Sequence, residues 1–132
     1  MNIKILFDGN KKVNAYVNDF EVKTDQPVPS GGDGSAPDPF TVFLTSLGAC
    51  AGIFVKTFCD QRDIPTEHIH LEQEVEFDHL KKLLKEVVIT IFVPKDFPEK
   101  YDEAVIHAAN TCLVKRHLRD EVIFRTLVKR EE

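Results

Sequence analysis

Apolar and polar side chains alternate along the first part of the chain, and a period of two is typical of β-strands with one buried face. The alternation begins at Ile3, stops at an Asp-Gly-Asn turn signal at residues 8–10, resumes, and stops again at residues 18–19. We therefore expect residues 1–23 to form a three-stranded meander.

The next stretch, residues 24–39, is dense in residues that interrupt regular structure. It holds four of the seven prolines and three of the six glycines in the chain. Regular elements do not tolerate that density, so we expect a long loop. Long loops in compact domains are often functional.

A run without charged side chains follows at residues 40–55. A membrane-spanning helix needs about 20 mostly apolar residues, and this run is shorter and carries hydroxyl and glycine residues. It predicts a helix that is buried on nearly all sides. Asp38 is placed to cap this helix and Pro39 to occupy its first turn. Gly48 and Gly52 would let another element approach the helix closely.

Two strands are predicted after the helix. Histidines and glutamates occupy every second position of residues 68–77, and mostly apolar side chains fill the positions between them. This strand would have one solvent face and one core face. A turn at residues 78–82 separates it from residues 84–93, whose β-branched side chains suit a central strand.

A helix is predicted to follow the second of these strands. Asp96, Pro98 and Glu99 have the spacing of an acidic cap, an early proline and a capping-box glutamate. One stripe of the helix is expected to be apolar, formed by Tyr101, Ala104, Val105, Ala108 and Cys112.

A short helix and a strand are predicted to end the chain. Asn110 or Thr111 would cap a helix over residues 112–119, and residues 121–129 have the pattern of a strand. The predicted order is βββ-α-ββ-α(α)-β, which is an α+β fold in a single domain over residues 1–132.

Composition and charge exclude several classes of protein. The net charge of −5 and the pI near 5.5 argue against a nucleic-acid partner, which would require a surplus of lysine and arginine. The chain does not open with a secretory leader, so we expect a cytoplasmic protein with no membrane partner. Three cysteines are too few for a disulfide framework.

Spacing separates the three cysteines. Cys50 and Cys59 lie nine residues apart in one predicted helix, which places them roughly 13 Å apart along its axis. They are too distant to pair, so Cys59 is interpreted as structural. Cys112 lies near a predicted helix start, where amide groups favour a thiolate. Cys50 and Cys112 therefore remain as a candidate two-thiol site, in which a cationic or hydrogen-bonding neighbour would have to activate Cys50.

The segment at residues 39–51 (Pro-Phe-Thr-Val-Phe-Leu-Thr-Ser-Leu-Gly-Ala-Cys-Ala) resembles the central-helix motif of the OsmC/Ohr family, the osmotically inducible and organic hydroperoxide resistance proteins. The loop before it, with Gly-Gly, Gly and Pro-x-Pro, is similar to theirs. So is the second cysteine, in residues 108–112 (Ala-Ala-Asn-Thr-Cys). The order of elements and the length match as well, so the resemblance covers almost the whole chain.

The resemblance implies a thiol-dependent peroxidase that acts on organic hydroperoxides and has no bound cofactor. Cys50 would match the peroxidatic cysteine, whose thiolate attacks the peroxide and becomes a sulfenic acid. Cys112 would match the resolving cysteine, and an external dithiol would regenerate the pair by exchange. The resemblance also implies antiparallel sheets around a long buried central helix, in an intertwined homodimer with two sites at the subunit interface.

The chain departs from the family pattern at three places. Active members usually carry an N-terminal arginine that activates the peroxidatic thiolate, but no arginine precedes Arg62 here. Phe40 occupies the position of a frequent glutamate, and Leu113 occupies that of a frequent proline after the second cysteine. Arg116, Arg119 or Arg125 would have to act in place of the missing arginine, across a dimer interface.

Two alternatives to the peroxidase hypothesis stay open. The missing arginine and the apolar Phe40 motivate an OsmC-fold protein without robust peroxidase activity, one that binds a small apolar ligand or senses oxidants. His68 and His70 share one strand face at a spacing that can bind zinc. Glutamates continue that face, so a solvated polar surface is the simpler interpretation and no metal is predicted.

Overall fold

The computed structural model describes residues 1–119, 123, 125 and 129–130. The chain divides into two compact units, Met1–Ser46 (unit 1) and Leu47–Glu132 (unit 2). The prediction of a single domain over residues 1–132 stays a prediction.

Unit 1 begins with the meander that the alternation predicted. Strands β1 (Ile3–Phe7), β2 (Val13–Val17) and β3 (Phe20–Thr24) form an antiparallel sheet in the order β1-β2-β3. Asn10 and Asn18 have positive φ angles at the two turns, a conformation that asparagine tolerates better than most residues. The predicted meander is confirmed.

The proline-rich loop of unit 1 is ordered by a buried carboxylate. The loop contains one turn of 3-10 helix, Val28–Ser30. Asp25 is fully buried and accepts hydrogen bonds from the Gln26 amide at 2.7 Å, the Ser35 amide at 3.0 Å and the Ser35 hydroxyl at 2.6 Å. Its own amide donates to the Pro37 carbonyl at 3.2 Å. The loop is thus irregular, as expected, but tied at both ends.

Helix α1 (Pro39–Asp60) begins as predicted. The Asp38 carboxylate accepts hydrogen bonds from the Thr41 amide and the Thr41 hydroxyl, which caps the helix. Pro39 is its first residue, where a missing N–H costs nothing.

The burial of α1 differs from the prediction. Five of its side chains are buried along one stripe: Leu47, Ala51, Val55, Phe58 and Cys59. Ile53, on the opposite side, is 57% exposed. The expectation of burial on nearly all sides is therefore wrong for the single chain. Among the described residues, α1 is the helix whose length and apolar composition would allow it to span a membrane. Core helices of soluble proteins share this property.

Unit 2 contains a two-stranded antiparallel sheet, formed by β4 (His70–Asp78) and β5 (Leu83–Phe92). Exposed and half-buried residues alternate along β4 up to a register shift at Glu76 and Phe77, as the sequence predicted. Within the described residues β5 pairs with β4, and the prediction that β5 is a central strand stays a prediction. A β-branched run indicates a pleated packing surface, not the number of neighbouring strands.

The predicted C-terminal helices form with different caps. Pro98, not Asp96, precedes a 3-10 turn (Glu99–Tyr101) that continues into α2 (Asp102–Asn110). Cys112 itself caps the four-residue α3 (Leu113–Arg116), so the prediction that Asn110 or Thr111 caps it is wrong. The predicted last strand, residues 121–129, lies for the most part outside the described residues.

The core of unit 2 lies between α1, α2 and the sheet. Val105 and Ala109 of α2 are buried in it, whereas Ala104 of the predicted stripe is exposed. The buried cluster consists of Ala51, Val55, Phe58, Cys59, Phe97, Val105 and Ala109. The α+β class, with antiparallel sheets and a long helix, is confirmed.

Candidate active site

The two cysteines that the sequence singled out meet in unit 2. Cys50 is half-buried on a flank of α1, and Cys112 is fully buried at the junction of α2 and α3. The Cys112 thiol donates a hydrogen bond to the Leu47 carbonyl oxygen at 4.0 Å, one turn before Cys50 in α1, and the Cys112 side chain is near enough to Cys50 to contribute to lowering its pKa. Both thiols are free. Two cysteines that are distant in sequence are therefore neighbours in the fold, and the amide of Leu113, the residue after Cys112, lies 3.2 Å from Cys50 Sγ.

Main-chain amides at the start of α3 are directed at the Cys50 sulfur. The Leu113 amide nitrogen lies 3.2 Å from Cys50 Sγ. Hydrogen bonds from the Val114 amide, the Cys112 thiol and the Leu113 amide lower the pKa of Cys50, while burial opposes them. A lowered thiol pKa increases the fraction of the nucleophilic thiolate at neutral pH.

This arrangement corrects the sequence analysis on one point. The helix start after Cys112 was expected to activate Cys112, and Cys50 was expected to receive little help from a helix terminus. The structure directs these amides to Cys50 instead. The sequence carries no signal for this, because an amide donor has no side-chain identity and the contact joins residues remote in the chain.

Charged side chains of the described part of unit 2 do not contribute to the lowered pKa of Cys50. Lys115 and Arg116 follow on α3 and are exposed, as are Arg119 and Arg125. The action of Arg116, Arg119 or Arg125 across a dimer interface stays a prediction.

Cys59 is separate from this pair. It is fully buried in the core of unit 2, on another side of α1 from Cys50. Burial raises the pKa of its thiol, helped by the neighbouring Asp60. A buried thiol with a raised pKa is unreactive, in keeping with a structural role.

The histidines are placed on the surface. His70 stacks on the Phe92 ring with centroids 4.7 Å apart and lies 3.5 Å from a Glu72 carboxylate oxygen. His68, His107 and His117 are also exposed. Among the described residues there is no cluster of three or more histidine, cysteine or carboxylate side chains able to hold a metal ion.

A cleft of about 630 Å³ lies at the C-terminal end of α1. The Arg62 guanidinium covers the Phe58 ring at 3.7 Å and donates to the Phe58 carbonyl at 3.0 Å. Phe58 is roughly 12 Å along the helix axis from Cys50. The cleft is lined by Phe58, Arg62, Lys100, Glu103, Ala104, His107 and Ala108, none of which contributes to the two-cysteine contact.

Comparison with known proteins connects this chain to one family. A family model described as OsmC-like protein matches residues 32–126. A comparison with curated proteins finds no match.

Solved structures show the same fold. A protein of Psychrobacter arcticus 273-4, provisionally named as an osmotic stress induced and detoxification response protein, is similar with a TM-score of 0.76 at 22% identity, over 90% of this chain and 88% of that chain. An OsmC-like protein from Mycoplasma pneumoniae has a TM-score of 0.70 at 14% identity, over 89% and 85% of the two chains. The organic hydroperoxide resistance protein OhrB of Bacillus subtilis has a TM-score of 0.53 at 17% identity, over 92% and 93%.

Proposed function

The chain belongs to the OsmC-like protein family, and we propose that it is a thiol-dependent peroxidase that reduces organic hydroperoxides through Cys50 and Cys112. One observation carries the proposal: two free thiols, remote in sequence, are brought together, and the pKa of one of them is lowered by hydrogen bonds from the segment that begins at the other. A structural cysteine requires neither a thiol partner nor donors directed at its sulfur.

In the proposed reaction the Cys50 sulfur reacts first, with the peroxide, and the Cys112 sulfur reacts second, with oxidised Cys50. The Cys50 thiolate attacks the terminal peroxide oxygen, so that a sulfur–oxygen bond forms, the oxygen–oxygen bond breaks, and the alkoxide leaves and takes up a proton as an alcohol. The sulfur is oxidised to a sulfenic acid and the peroxide is reduced. The Cys112 thiol then displaces the sulfenic oxygen, which leaves as water, and a disulfide forms.

An external dithiol completes the cycle. One of its thiolates attacks the Cys50–Cys112 disulfide, and its second sulfur resolves the mixed disulfide, so that both cysteines return as thiols and the external pair becomes oxidised. The reductant is thus proposed by its chemistry, as a small dithiol.

Support for an organic peroxide comes from the side chains around Cys50. Within unit 2 its helical neighbours include Leu47, Ile53 and Phe54, which are apolar. An apolar wall favours a substrate with a hydrocarbon part over hydrogen peroxide. The name of the OhrB relative points to the same class.

A homodimer in the cytoplasm is part of the proposal. Large apolar side chains are exposed in each unit, among them Ile5 and Phe7 on β1 and Leu84 and Val88 on β5. An isolated two-stranded sheet such as β4–β5 has marginal stability in water. A second copy of the chain would cover these surfaces.

One observation favours the alternative function, in which the protein binds an apolar ligand or senses oxidants. Phe40 stacks on Phe43 with ring centroids 5.8 Å apart, so the start of α1 is aromatic. This favours the binding of an apolar ligand, or oxidant sensing without turnover, as the alternative.

Peroxide consumption separates these functions. Reduced protein is mixed with cumene hydroperoxide and excess dithiol, and peroxide loss is followed for the wild type and for Cys50→Ser, Cys112→Ser and Cys59→Ala. We expect turnover by the wild type and a loss on the order of 10³-fold in Cys50→Ser, because the nucleophile is removed.

The other two variants test the roles of the remaining thiols. Cys112→Ser should be oxidised once and then turn over slowly, with a sulfenic acid detectable at Cys50 by mass spectrometry. Cys59→Ala should retain the wild-type pH dependence. Equal consumption by all four proteins would exclude the peroxidase proposal, and oxidation of Cys50 without turnover in the wild type would favour sensing.

A further inference from the structure

We propose that the main-chain amides at the start of α3, those of Leu113 and Val114, hold Cys50 as a thiolate in this protein, in the role that a charged side chain would otherwise have. The inference rests on the proposed function in one respect, since a held thiolate matters for catalysis only if Cys50 is the nucleophile. The hydrogen bond itself can be tested without any peroxide.

The position of Leu113 leaves its amide available to the sulfur. Leu113 is the first residue of α3, and the first N–H groups of a helix have no acceptor within the helix. The Leu113 nitrogen lies 3.2 Å from Cys50 Sγ. A sulfur that carries a full negative charge is a stronger acceptor than a thiol, so this contact favours the ionised form.

The residue before Leu113 fixes the direction of the amide. Cys112 caps α3 with φ −45° and ψ 122°, an extended conformation that turns the chain into the helix. The Cys112 side chain is fully buried against α1, with its sulfur 4.0 Å from the Leu47 carbonyl. The resolving thiol and the activating amide are thus adjacent in sequence and are held by the same contact with α1.

Other means of stabilising the thiolate are missing in the described part of unit 2. No charged side chain there acts on Cys50, and the titratable group in contact with it is Cys112. Lys115 and Arg116, on the same short helix, are exposed. The Val114 amide supplies a second main-chain donor. The donors are therefore main-chain groups and the Cys112 thiol.

Replacing Leu113 by proline removes this amide hydrogen with little other change. Proline is favoured at the first position of a helix, and the ψ of Cys112, 122°, lies in the range that a residue before proline adopts. Leu113→Ala is the matched control, because it shortens the side chain and keeps the amide.

The readout is the rate of Cys50 alkylation by iodoacetamide against pH, with the modified peptide identified by mass spectrometry. We expect the midpoint of Leu113→Pro to rise by about one pH unit, which is about tenfold less thiolate below both midpoints. The midpoint of Leu113→Ala should stay at the wild-type value. Equal midpoints for Leu113→Pro and the wild type would overturn the inference.

A measurement on the wild type covers the case in which Leu113→Pro does not fold. The NMR shift of the Leu113 amide proton should titrate with the same midpoint as Cys50 alkylation, and this titration should disappear in Cys50→Ser. A Leu113 amide that does not respond to pH would contradict the proposal. If the alkylation midpoint rises in Leu113→Pro but the wild type does not turn over peroxide, this inference holds and the peroxidase proposal is excluded. If the wild type turns over peroxide but the midpoint of Leu113→Pro equals that of the wild type, the peroxidase proposal holds and this inference is excluded.

Discussion

Cys112 shows how the position of a residue at a helix start can be predicted correctly while its surroundings are misjudged. Its place near a helix start was visible in the sequence, and the structure makes it the cap of α3. The amides that follow it nevertheless serve Cys50, because the chain turns at Cys112 and brings α3 against the flank of α1. The consequence of a helix start depends on which atom lies opposite its amides, and that atom belongs to another element.

Asp25 offers a residue-scale prediction about pH. Hydrogen bonds from the Ser35 hydroxyl and amide lower the pKa of Asp25 from 3.8 to about 2, with further help from the Gln26 amide and against the effect of burial. A pKa that is lower in the folded state contributes stability above the unfolded value, and this contribution is lost as the pH falls from about 4 to about 2.

The test is amide hydrogen exchange at Ser35 and Gln26. In the wild type we expect protection to decrease between pH 4 and pH 2 beyond the intrinsic effect of acid on exchange. In Asp25→Asn, protection should be lower at neutral pH and should lack this acid-dependent step. Ser35→Ala, which removes one donor, should be intermediate. A step that persists in Asp25→Asn would assign it to another group.

Helix α1 shows which features of a single element can be predicted from the sequence. Its existence, its cap and its first residue were predicted, because a local run of apolar residues and an Asp-Pro start determine them. The role of its glycines was only half predicted. A Cβ on Gly48 would lie 2.6 Å from Gln73 Oε1 of β4, whereas a Cβ on Gly52 meets no described atom within 4 Å. The close approach expected at both glycines occurs at Gly48.

The two glycines therefore predict different responses to alanine. Gly52→Ala should stabilise unit 2 by about 0.5–1 kcal/mol, because alanine loses less conformational entropy in a helix. Gly48→Ala should gain less or lose stability, since the Gln73 amide would have to move. The free energy of unfolding of both variants in urea checks this. An equal increase at the two positions would show that the Gln73 side chain moves aside without loss of stability.

At the scale of the whole molecule, the exposed apolar side chains require explanation. Ile53 on α1 and Val88 on β5 are exposed in the single chain, at 57% and 42%. Scattered exposed apolar residues are ordinary, but several on one two-stranded sheet are typical of an interaction surface. The proposed homodimer would bury them and would also account for the sequence pattern of α1, which predicted more burial than one chain provides.

Val88→Lys tests this assembly. Val88 lies opposite Glu74 in the β4–β5 sheet, so a lysine there meets an opposite charge within its own chain. In a dimer that covers β5, the same lysine would be desolvated at a cost of several kcal/mol.

Light scattering should give the wild type twice the chain mass of 15.0 kDa and Val88→Lys the single mass. Leu80→Lys, at a turn position that is 96% exposed, is the control and should keep the mass of the wild type. A wild type of single mass would exclude the homodimer. A Val88→Lys protein that keeps the wild-type mass would place the interface elsewhere.

The sequence by itself determined most of the described elements, the family and the two cysteines on which the proposed function rests. Strand periods, the Asp38 cap and the Gly-Ala-Cys segment are local patterns, and local patterns are readable because the forces behind them act between near neighbours in the chain. The tertiary structure decided that Cys50 receives the amides of Leu113 and Val114, that Gln73 approaches Gly48, and that α1 buries one stripe. Each of these depends on a distance between residues remote in the chain, and such distances are set by packing, for which a single sequence carries no local signal.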